Sequence, residues 1–132
     1  MLSHFGINQH IIHDSDERHL YSDGNIKLNE DGEPRVNSAW TLNQSIWDAI
    51  VSAKESGSFI RRYVSIRNFE NSHDYEHDKN KGKPLSAYEY AKTLDIHDND
   101  KSIVNFLNQI VGTTSYDIEF TQEYLEKNVI EP

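Results

Sequence analysis

The segment NSHDYEHDKNKGKP, residues 71–84, contains the side chains whose types and spacing come closest to a chemical site. His73 and His77 are four residues apart, so on a helix they would share one face, and neutral imidazoles at that spacing bind zinc or nickel. Asp74 and Asp78 are out of phase with that face, which leaves the ligand set incomplete. The abundance of Asn, Asp, Lys and Gly is typical of a loop. We therefore predict a surface loop over 71–84, and a metal site there is the alternative.

Three further histidines, His10, His13 and His19, are also spaced like ligands. A metal-dependent enzyme or metal-binding module would need the fold to bring this group together with His73 and His77, and the sequence does not establish that. We predict no cofactor and keep the metal hypothesis as an alternative.

Other signatures of catalysis are missing from the sequence. There is no cysteine, which excludes disulfides, thiolate metal sites and a cysteine nucleophile. No serine lies in a Gly-x-Ser-x-Gly motif, and there is no glycine-rich phosphate loop. The 22 acidic residues allow many carboxylate pairs, so no single pair indicates acid–base catalysis. No enzyme class is predicted.

The net charge of -9 is the strongest indication of function. Residues 1–35 hold seven acids and three bases, residues 84–132 hold nine acids and three bases, and residues 36–83 hold six acids and seven bases. Acidic chains repel phosphate backbones and attract basic partners. We therefore expect a basic protein partner and no direct nucleic-acid binding.

The N-terminal part is expected to form strands. Asp23-Gly24 and Asp31-Gly32 are dipeptides that supply the positive φ of tight hairpin turns. They predict a short antiparallel meander over about residues 18–38.

A helix is expected next, from a capping box at Thr41 and Gln44 to a left-handed end at Gly57. Trp47 falls off the apolar stripe of this helix, so it would be buried on a second side or contact a partner. The stripe consists of Leu42, Ile46, Ala49, Ile50 and Ala53.

FIRRYVSI, residues 59–66, reads as a strand with Ile60 and Val64 facing the core and Arg61 and Tyr63 facing away. The arginines of this strand are expected to pair with the surplus acids. The rest of the chain predicts a helix from Ser86 to about Asp95, a helix that ends at Gly112, a strand over 115–120 and a short helix from Thr121 to Asn128.

Together these elements predict an α+β fold. Its small antiparallel sheet would combine the N-terminal meander with the strands near 59–66 and 115–120, packed with three to four helices in a single globular domain, residues 1–132. No apolar stretch approaches the roughly 20 residues of a membrane helix, and the opening lacks a basic region followed by an apolar run. We expect a cytoplasmic protein that does not bind membranes.

These features predict a small acidic protein-binding domain, an inhibitor or immunity-type protein that blocks a basic macromolecule such as a nuclease or a defence or toxin protein. Trp47 and Tyr63 would supply hot-spot area, because Trp and Tyr often anchor interfaces. A homo-oligomeric assembly protein with Trp47 buried between subunits is a further alternative. The acids expected to attract and pair with the partner are Asp95, Asp98, Asp100, Glu119, Glu123 and Glu126.

Overall fold

The computed structural model describes residues 7–116 and 118–129. The chain divides into two compact units, which we call the first unit (Met1–Arg67 with Glu119–Pro132) and the second unit (Asn68–Ile118). The α+β class is confirmed: the described residues form helices, one parallel strand pair and one antiparallel hairpin. In chain order the elements are β1 (Gln9–Asp14), β2 (Tyr21–Ser22), β3 (Asn25–Ile26), α1 (Ser38–Glu55), β4 (Ile60–Ser65), α2 (Phe69–Ser72), α3 (Lys83–Thr93), α4 (Ser102–Val111) and α5 (Gln122–Asn128).

The first unit is built on a parallel pair, with Gln9 of β1 opposite Ile60 of β4 and Asp14 opposite Ser65. Parallel strands need a long crossover, and the meander and α1 supply it. The expectation of a purely antiparallel sheet is therefore wrong. In QHIIHD the two apolar residues are adjacent and flanked by histidines, so no alternating pattern marks β1 as a strand.

The N-terminal meander is confirmed by its backbone hydrogen bonds. Lys27 N donates to Leu20 O at 2.8 Å, and Arg35 N donates to Lys27 O at 2.7 Å. The turn between β2 and β3 has φ of 51° at Asp23 and 78° at Gly24. Two successive positive φ angles are what a tight two-residue hairpin loop requires, and Asp-Gly supplies them with little strain.

Helix α1 begins earlier than the sequence predicted. Its N-cap is Asn37, whose side chain accepts a hydrogen bond from Ala39 N at 3.1 Å, so the predicted cap at Thr41 is wrong. The reason is the meander: Asn37 N donates to Arg18 O, which places a good capping residue at the point where the chain leaves the last strand. The predicted end is confirmed, since Gly57 follows the helix with φ of 88°.

The buried face of α1 also differs from the predicted stripe. Asn43 and Ile50 are each 1% exposed, and the half-buried Trp47 lies between them, whereas Leu42 is 59% exposed. The face turns toward Asn43 because its side-chain amide donates to Ser15 O at 2.7 Å inside the unit. Trp47 therefore lies on the core-facing side, and the prediction that it falls off that side is wrong.

Arg62 on β4 is 2% exposed and joins three segments of the first unit. Its Nε donates to Phe120 O at 2.7 Å, and its Nη1 donates to Asn43 O at 3.0 Å. The guanidinium carbon lies 4.9 Å from the centre of the Trp47 ring, within the range of a cation–π contact. No carboxylate of the described residues forms an ion pair with Arg62, so the expected pairing with acids is wrong here. Burial lowers the pKa of Arg62 to about 10, which leaves it protonated at neutral pH.

Both sets of alternating side chains on β4 are buried, apart from Arg61, which is half-buried. Ile60 and Val64 lie in the core as predicted, but Tyr63 is 0% exposed, so the prediction that it faces outward is wrong. Its hydroxyl lies 3.3 Å from Nδ1 of His10 on β1. A strand covered on both faces shows no polar side, and alternation alone cannot reveal that.

The second unit has an aromatic core around a histidine. The His73 ring lies 4.4 Å from the ring of Phe69 and 5.6 Å from that of Phe106, and Tyr75 lies 4.9 Å from Tyr90. Such ring pairs add to the stabilisation from buried area alone. Aromatic packing therefore forms a large part of the core of this unit.

In this unit the predicted end of α4 is confirmed, and the predicted start of α3 is wrong. Helix α3 begins at Lys83, with Pro84 in its first turn, and not at Ser86. Ser86 is buried instead, and its hydroxyl accepts a hydrogen bond from Asp78 N at 2.9 Å. Helix α4 ends at Gly112 in the left-handed conformation, as predicted.

The predicted strand over 115–120 is wrong for the described residues of that segment, which lie outside any strand. Its apolar alternation is real, and Phe120 is 6% exposed, but the carbonyl of Phe120 accepts from the Arg62 side chain. The Arg62 side chain thus supplies the hydrogen-bond donor that a neighbouring strand would provide in a sheet. The final helix is confirmed, with Thr121 as N-cap accepting from Tyr124 N at 3.0 Å.

We expect the Arg62→Met variant to lose about 2 kcal/mol of unfolding free energy, because two buried carbonyls lose their donor while relief of a buried charge offsets part of that loss. Urea unfolding followed by circular dichroism measures it. Arg35→Met makes the same chemical change on an exposed residue and should alter stability by less than about 0.5 kcal/mol. Equal stability of the two variants would contradict the role given to Arg62.

Candidate functional site

The segment 73–76 alternates between buried rings and exposed acids. His73 is 3% exposed and Tyr75 is 8% exposed, whereas Asp74 and Glu76 are exposed. Asp74 has φ of 52°, a conformation that Asp tolerates better than most residues, and Tyr75 N donates to Glu70 O at 3.0 Å. The prediction of a surface loop holds for the acids and is wrong for the two rings, which anchor the segment in the core of the second unit.

Two cavities open along this segment, with volumes of about 460 Å³ and 280 Å³. They share three lining residues, Asp74, Tyr75 and Glu76, and we call the two together the acidic cleft. Glu70 and Asn71 complete the lining of the larger cavity. The smaller cavity is completed by Asp78, Ser86, Glu89, Tyr90 and Thr93.

The two exposed acids at the centre of the acidic cleft carry uncompensated charge. Within the described part of the chain, neither Asp74 nor Glu76 forms an ion pair. Both side chains are accessible to solvent. The centre of the cleft is therefore a local concentration of negative charge.

Two of the other acids that line the cleft, Glu70 and Glu89, are paired with nearby bases, whereas Asp78 forms no ion pair among the described residues. Lys81 Nζ lies 2.7 Å from Glu89 Oε2, and that carboxylate raises the pKa of Lys81. Glu70 Oε1 lies 3.8 Å from Lys83 Nζ and 3.9 Å from His77 Nδ1. These pairs are solvent-exposed and contribute little to stability. Among the described acids of the cleft, these pairs leave Asp74, Glu76 and Asp78 without a paired cation.

Tyr75 lines both cavities of the cleft, and its ring is held by other aromatic rings. Its ring packs against Tyr90 at 4.9 Å and against Phe69 at 5.8 Å. Its buried hydroxyl has no hydrogen-bond partner among the described residues. A buried hydroxyl without a hydrogen-bond partner is unfavourable to stability.

The histidines do not assemble a metal centre in the described residues, where no group of three or more His, Asp or Glu side chains is placed to hold a metal ion. His73 is enclosed by aromatic rings, and His77 lies beside Glu70. On β1, His13 Nδ1 donates to Asp14 O at 2.8 Å, and burial lowers the pKa of His13. The other two candidates have separate roles: His10 contacts Tyr63, and His19 forms a β-bridge with Val36.

The predicted partner-binding acids between α3 and α4 shape their own turn. Asp95 Oδ1 accepts from His97 N at 2.9 Å, and Asp98 Oδ1 accepts from Asp100 N at 3.3 Å. Asp95 and Asp100 are exposed, and Asp98 is half-buried. No ion pair neutralises any of the three among the described residues. Their charge remains available to a partner.

The predicted acids near the C-terminus, in the first unit, are mostly paired with groups of the chain itself. Glu119 lies 3.1 Å from Lys54 Nζ, and Glu123 lies 2.6 Å from Lys127 Nζ, which lowers the pKa of Glu123. Glu126 accepts a hydrogen bond of 3.5 Å from the Gln122 side chain. These local pairs weaken the field that Glu119 and Glu123 present to a partner.

The two predicted aromatic anchors are less available than the sequence suggested. Tyr63 is 0% exposed, so its predicted place at an interface is not compatible with this structure. Trp47 is half-buried, with Arg62 on its ring and Lys54 Nζ 5.7 Å from the ring centre.

Sequence reasoning missed the acidic cleft for two reasons. Lysines at 79, 81 and 83 cancel the acids of the segment in a charge count, although two of them pair at the edges of the cleft. The pattern HDYEHD also alternates rings with acids, and that period-2 pattern is the signal that could have revealed an anchored segment.

The comparisons with known proteins add no functional assignment. No protein-family model, curated protein or solved structure matches this chain. In the part of the chain that the structure describes, no helix has the length and apolar character needed to cross a membrane.

We expect acid to destabilise the second unit through His73. Burial lowers the pKa of His73, so the folded state keeps the ring neutral while the unfolded chain takes up a proton near its ordinary pKa of about 6.5. The contribution of His73 to stability is therefore present above about pH 6.5 and is lost as the pH falls below it. Melting temperatures measured from pH 7.5 to 5 should fall less steeply in His73→Gln than in the parent protein. His97→Gln, a change at an exposed histidine, should keep the parent slope, and an unchanged slope in His73→Gln would contradict the assignment.

Proposed function

We propose that this chain is an acidic protein-binding domain that blocks a basic macromolecule, in the manner of an inhibitor or immunity protein acting on a nuclease, toxin or defence protein. The observation that carries the proposal is the unpaired negative charge of Asp74 and Glu76 at the centre of the acidic cleft. A concave surface lined by one sign of charge concentrates its field and favours ligands of the opposite sign.

The charge balance of the second unit supports the same class of partner. Residues 68–118 contain nine acids and five bases, and two of those bases are already paired with Glu70 and Glu89. The net charge of the whole chain is -9, which disfavours phosphate-bearing partners. A nuclease has a cationic cleft for its substrate, and an anionic domain can occupy such a cleft by charge complementarity.

The unpaired acids Asp95, Asp98 and Asp100 belong to the second unit and would assist association there. Complementary charges at the rim of an interface mainly accelerate encounter and contribute less to the lifetime of the complex. Glu119 and Glu123 would contribute less, because Lys54 and Lys127 neutralise them. The proposed binding surface therefore lies mainly on the second unit.

The experiment that tests the function is affinity capture across a salt series. Tagged protein is incubated with lysate of its native cell and washed at increasing salt, and the retained proteins are identified and quantified. The proposal predicts a stoichiometric basic protein that is released steeply as salt rises and whose activity falls when the domain binds. If no basic protein is retained at low salt, the proposal is wrong.

Removing the charge of the turn acids should slow association with the captured partner. The triple variant Asp95→Asn, Asp98→Asn and Asp100→Asn keeps the side-chain oxygens that accept the turn amides and removes three charges. We expect the association rate at low salt to fall about tenfold, with a flatter salt dependence and little change in dissociation. Surface plasmon resonance measures both rates.

The matched control is Glu123→Gln with Lys127→Gln, which removes an ion pair at constant net charge. Its association rate should equal that of the parent protein. An unchanged rate in the triple variant would show that these acids take no part in steering.

A further inference from the structure

We infer that one face of α4, formed by Ile103, Leu107 and Val111 and named the α4 ridge, is a docking surface for an amphipathic helix of the basic partner. Lysine and arginine side chains beside the apolar face of that helix would meet the acidic turn, residues 95–100. This inference rests on the proposed function and supplies the apolar contact that the predicted aromatic anchors do not provide.

Helix α4 exposes apolar side chains while it buries a polar one. Leu107 is 46% exposed and Val111 is 69% exposed, whereas Gln109, which lies between them in the sequence, is 4% exposed. The Gln109 side-chain amide donates to Asn105 Oδ1 within the helix. A helix that contacted only its own core would bury its leucine and valine. The α4 ridge is therefore an apolar face that the core of this unit leaves uncovered.

The apolar side chains of the ridge are neighbours on the helix surface. Ile103, Leu107 and Val111 follow one another at intervals of four residues, so they form a single row, in which Ile103 is half-buried. Ile96 adds an apolar side chain that is 70% exposed, on the turn before α4. Its carbonyl accepts from Asn108 Nδ2 at 2.8 Å, which fixes the turn against the helix. Grouped apolar exposure of this kind marks interaction sites, in contrast to scattered single residues.

The geometry of the ridge favours a helix as the occupant. Rows of side chains four residues apart pack into the grooves of a facing helix in the commonest class of helix packing. The ridge is about 12 Å long, which matches roughly two turns of a partner helix. All described strands belong to the first unit, so the described part of the second unit has no sheet edge to which an extended segment could add.

Charge complementarity selects a basic helix. Helix α4 contains no charged residue, and Lys101 at its N-cap is the one base within residues 95–111. The three acids of the turn form no ion pair among the described residues, and Asn108 Nδ2 also donates to Asn99 Oδ1 at 2.8 Å. An apolar ridge beside fixed acids matches an apolar helix face that is bordered by bases. A second copy of this chain, with its net charge of -9, would add like charge to this surface.

The test is a titration of the full chain with a synthetic peptide of leucine and lysine whose leucines have helical spacing, followed by calorimetry and methyl NMR. Leu107→Gln with Val111→Thr should bind the peptide about tenfold or more weakly, because it removes the apolar contact. The matched control Leu42→Gln with Val36→Thr makes the same changes at exposed positions of the first unit and should stay within about twofold of the parent protein. Both variants alter exposed residues, so their melting temperatures should remain close to that of the parent protein.

Two further peptides separate charge from helical shape. A peptide of leucine and glutamate with the same spacing should bind about tenfold or more weakly, because its charge is repelled by the turn. A peptide of leucine and lysine in strict alternation has the same net charge and the spacing of a strand, and it should also bind more weakly. The triple variant Asp95→Asn, Asp98→Asn and Asp100→Asn should lose about threefold or more in affinity for the helical lysine peptide at low salt.

Three results would overturn the inference: equal affinity in the two double variants, equal affinity for the helical lysine peptide and either of the other peptides, or a dimer of the parent protein that Leu107→Gln with Val111→Thr abolishes in light scattering. The third result would assign the ridge to a second copy of this chain.

Failure of the inference is distinguishable from failure of the proposed function. A captured basic partner that binds the Leu107→Gln, Val111→Thr variant as tightly as the parent protein would refute docking at the ridge and leave the inhibitor function standing. If capture retains no basic protein, the inhibitor function is refuted, and the peptide titration still decides whether the ridge binds a basic amphipathic helix.

Discussion

The buried guanidinium of Arg62 is the constraint on which the first unit depends. A charge with no carboxylate partner among the described residues needs other acceptors, and the carbonyls of Phe120 and Asn43 accept from its Nε and Nη1, while its Nη2 is buried without a hydrogen-bond partner among the described residues. The face of Trp47 covers the same group. Helix α1 and the chain before α5 are thus held on β4 by hydrogen bonds that exist only in this arrangement. Asn43 extends the network by donating to Ser15 O.

The second unit also buries a polar side chain, the imidazole of His73, and it surrounds that ring with aromatic side chains. His73 lies among Phe69 and Phe106, and the Tyr90 hydroxyl donates to its carbonyl. His73 and Tyr75 are buried, while Asp74 between them and Glu76 after them face solvent. The two buried rings, together with the left-handed backbone at Asp74, therefore place both acids at the surface. The proposed binding surface is a consequence of how the unit folds.

Local signals predicted part of this structure. Asp23-Gly24 specified a turn through its backbone conformation, and Gly57 and Gly112 ended helices for the same reason. The failures involve buried polar residues. Asn43 and Arg62 belong to the core only because distant carbonyls and amides satisfy them, and no sequence pattern shows such pairings. The faces of α1 and β4 were misjudged for that reason, and with them the exposure of Trp47 and Tyr63. The acidic cleft was missed because charge was counted along the chain and not in space.

Hydrogen exchange of the protein alone and in complex with its captured partner tests the central claim most directly. The account predicts slower exchange at the amides of residues 70–78 and 86–93 in the complex, because a bound partner would cover the acidic cleft. Amides of the meander, residues 18–37, should exchange at the same rate in both states. Protection confined to the meander, with none at 70–78, would contradict the assignment of the binding surface to the second unit.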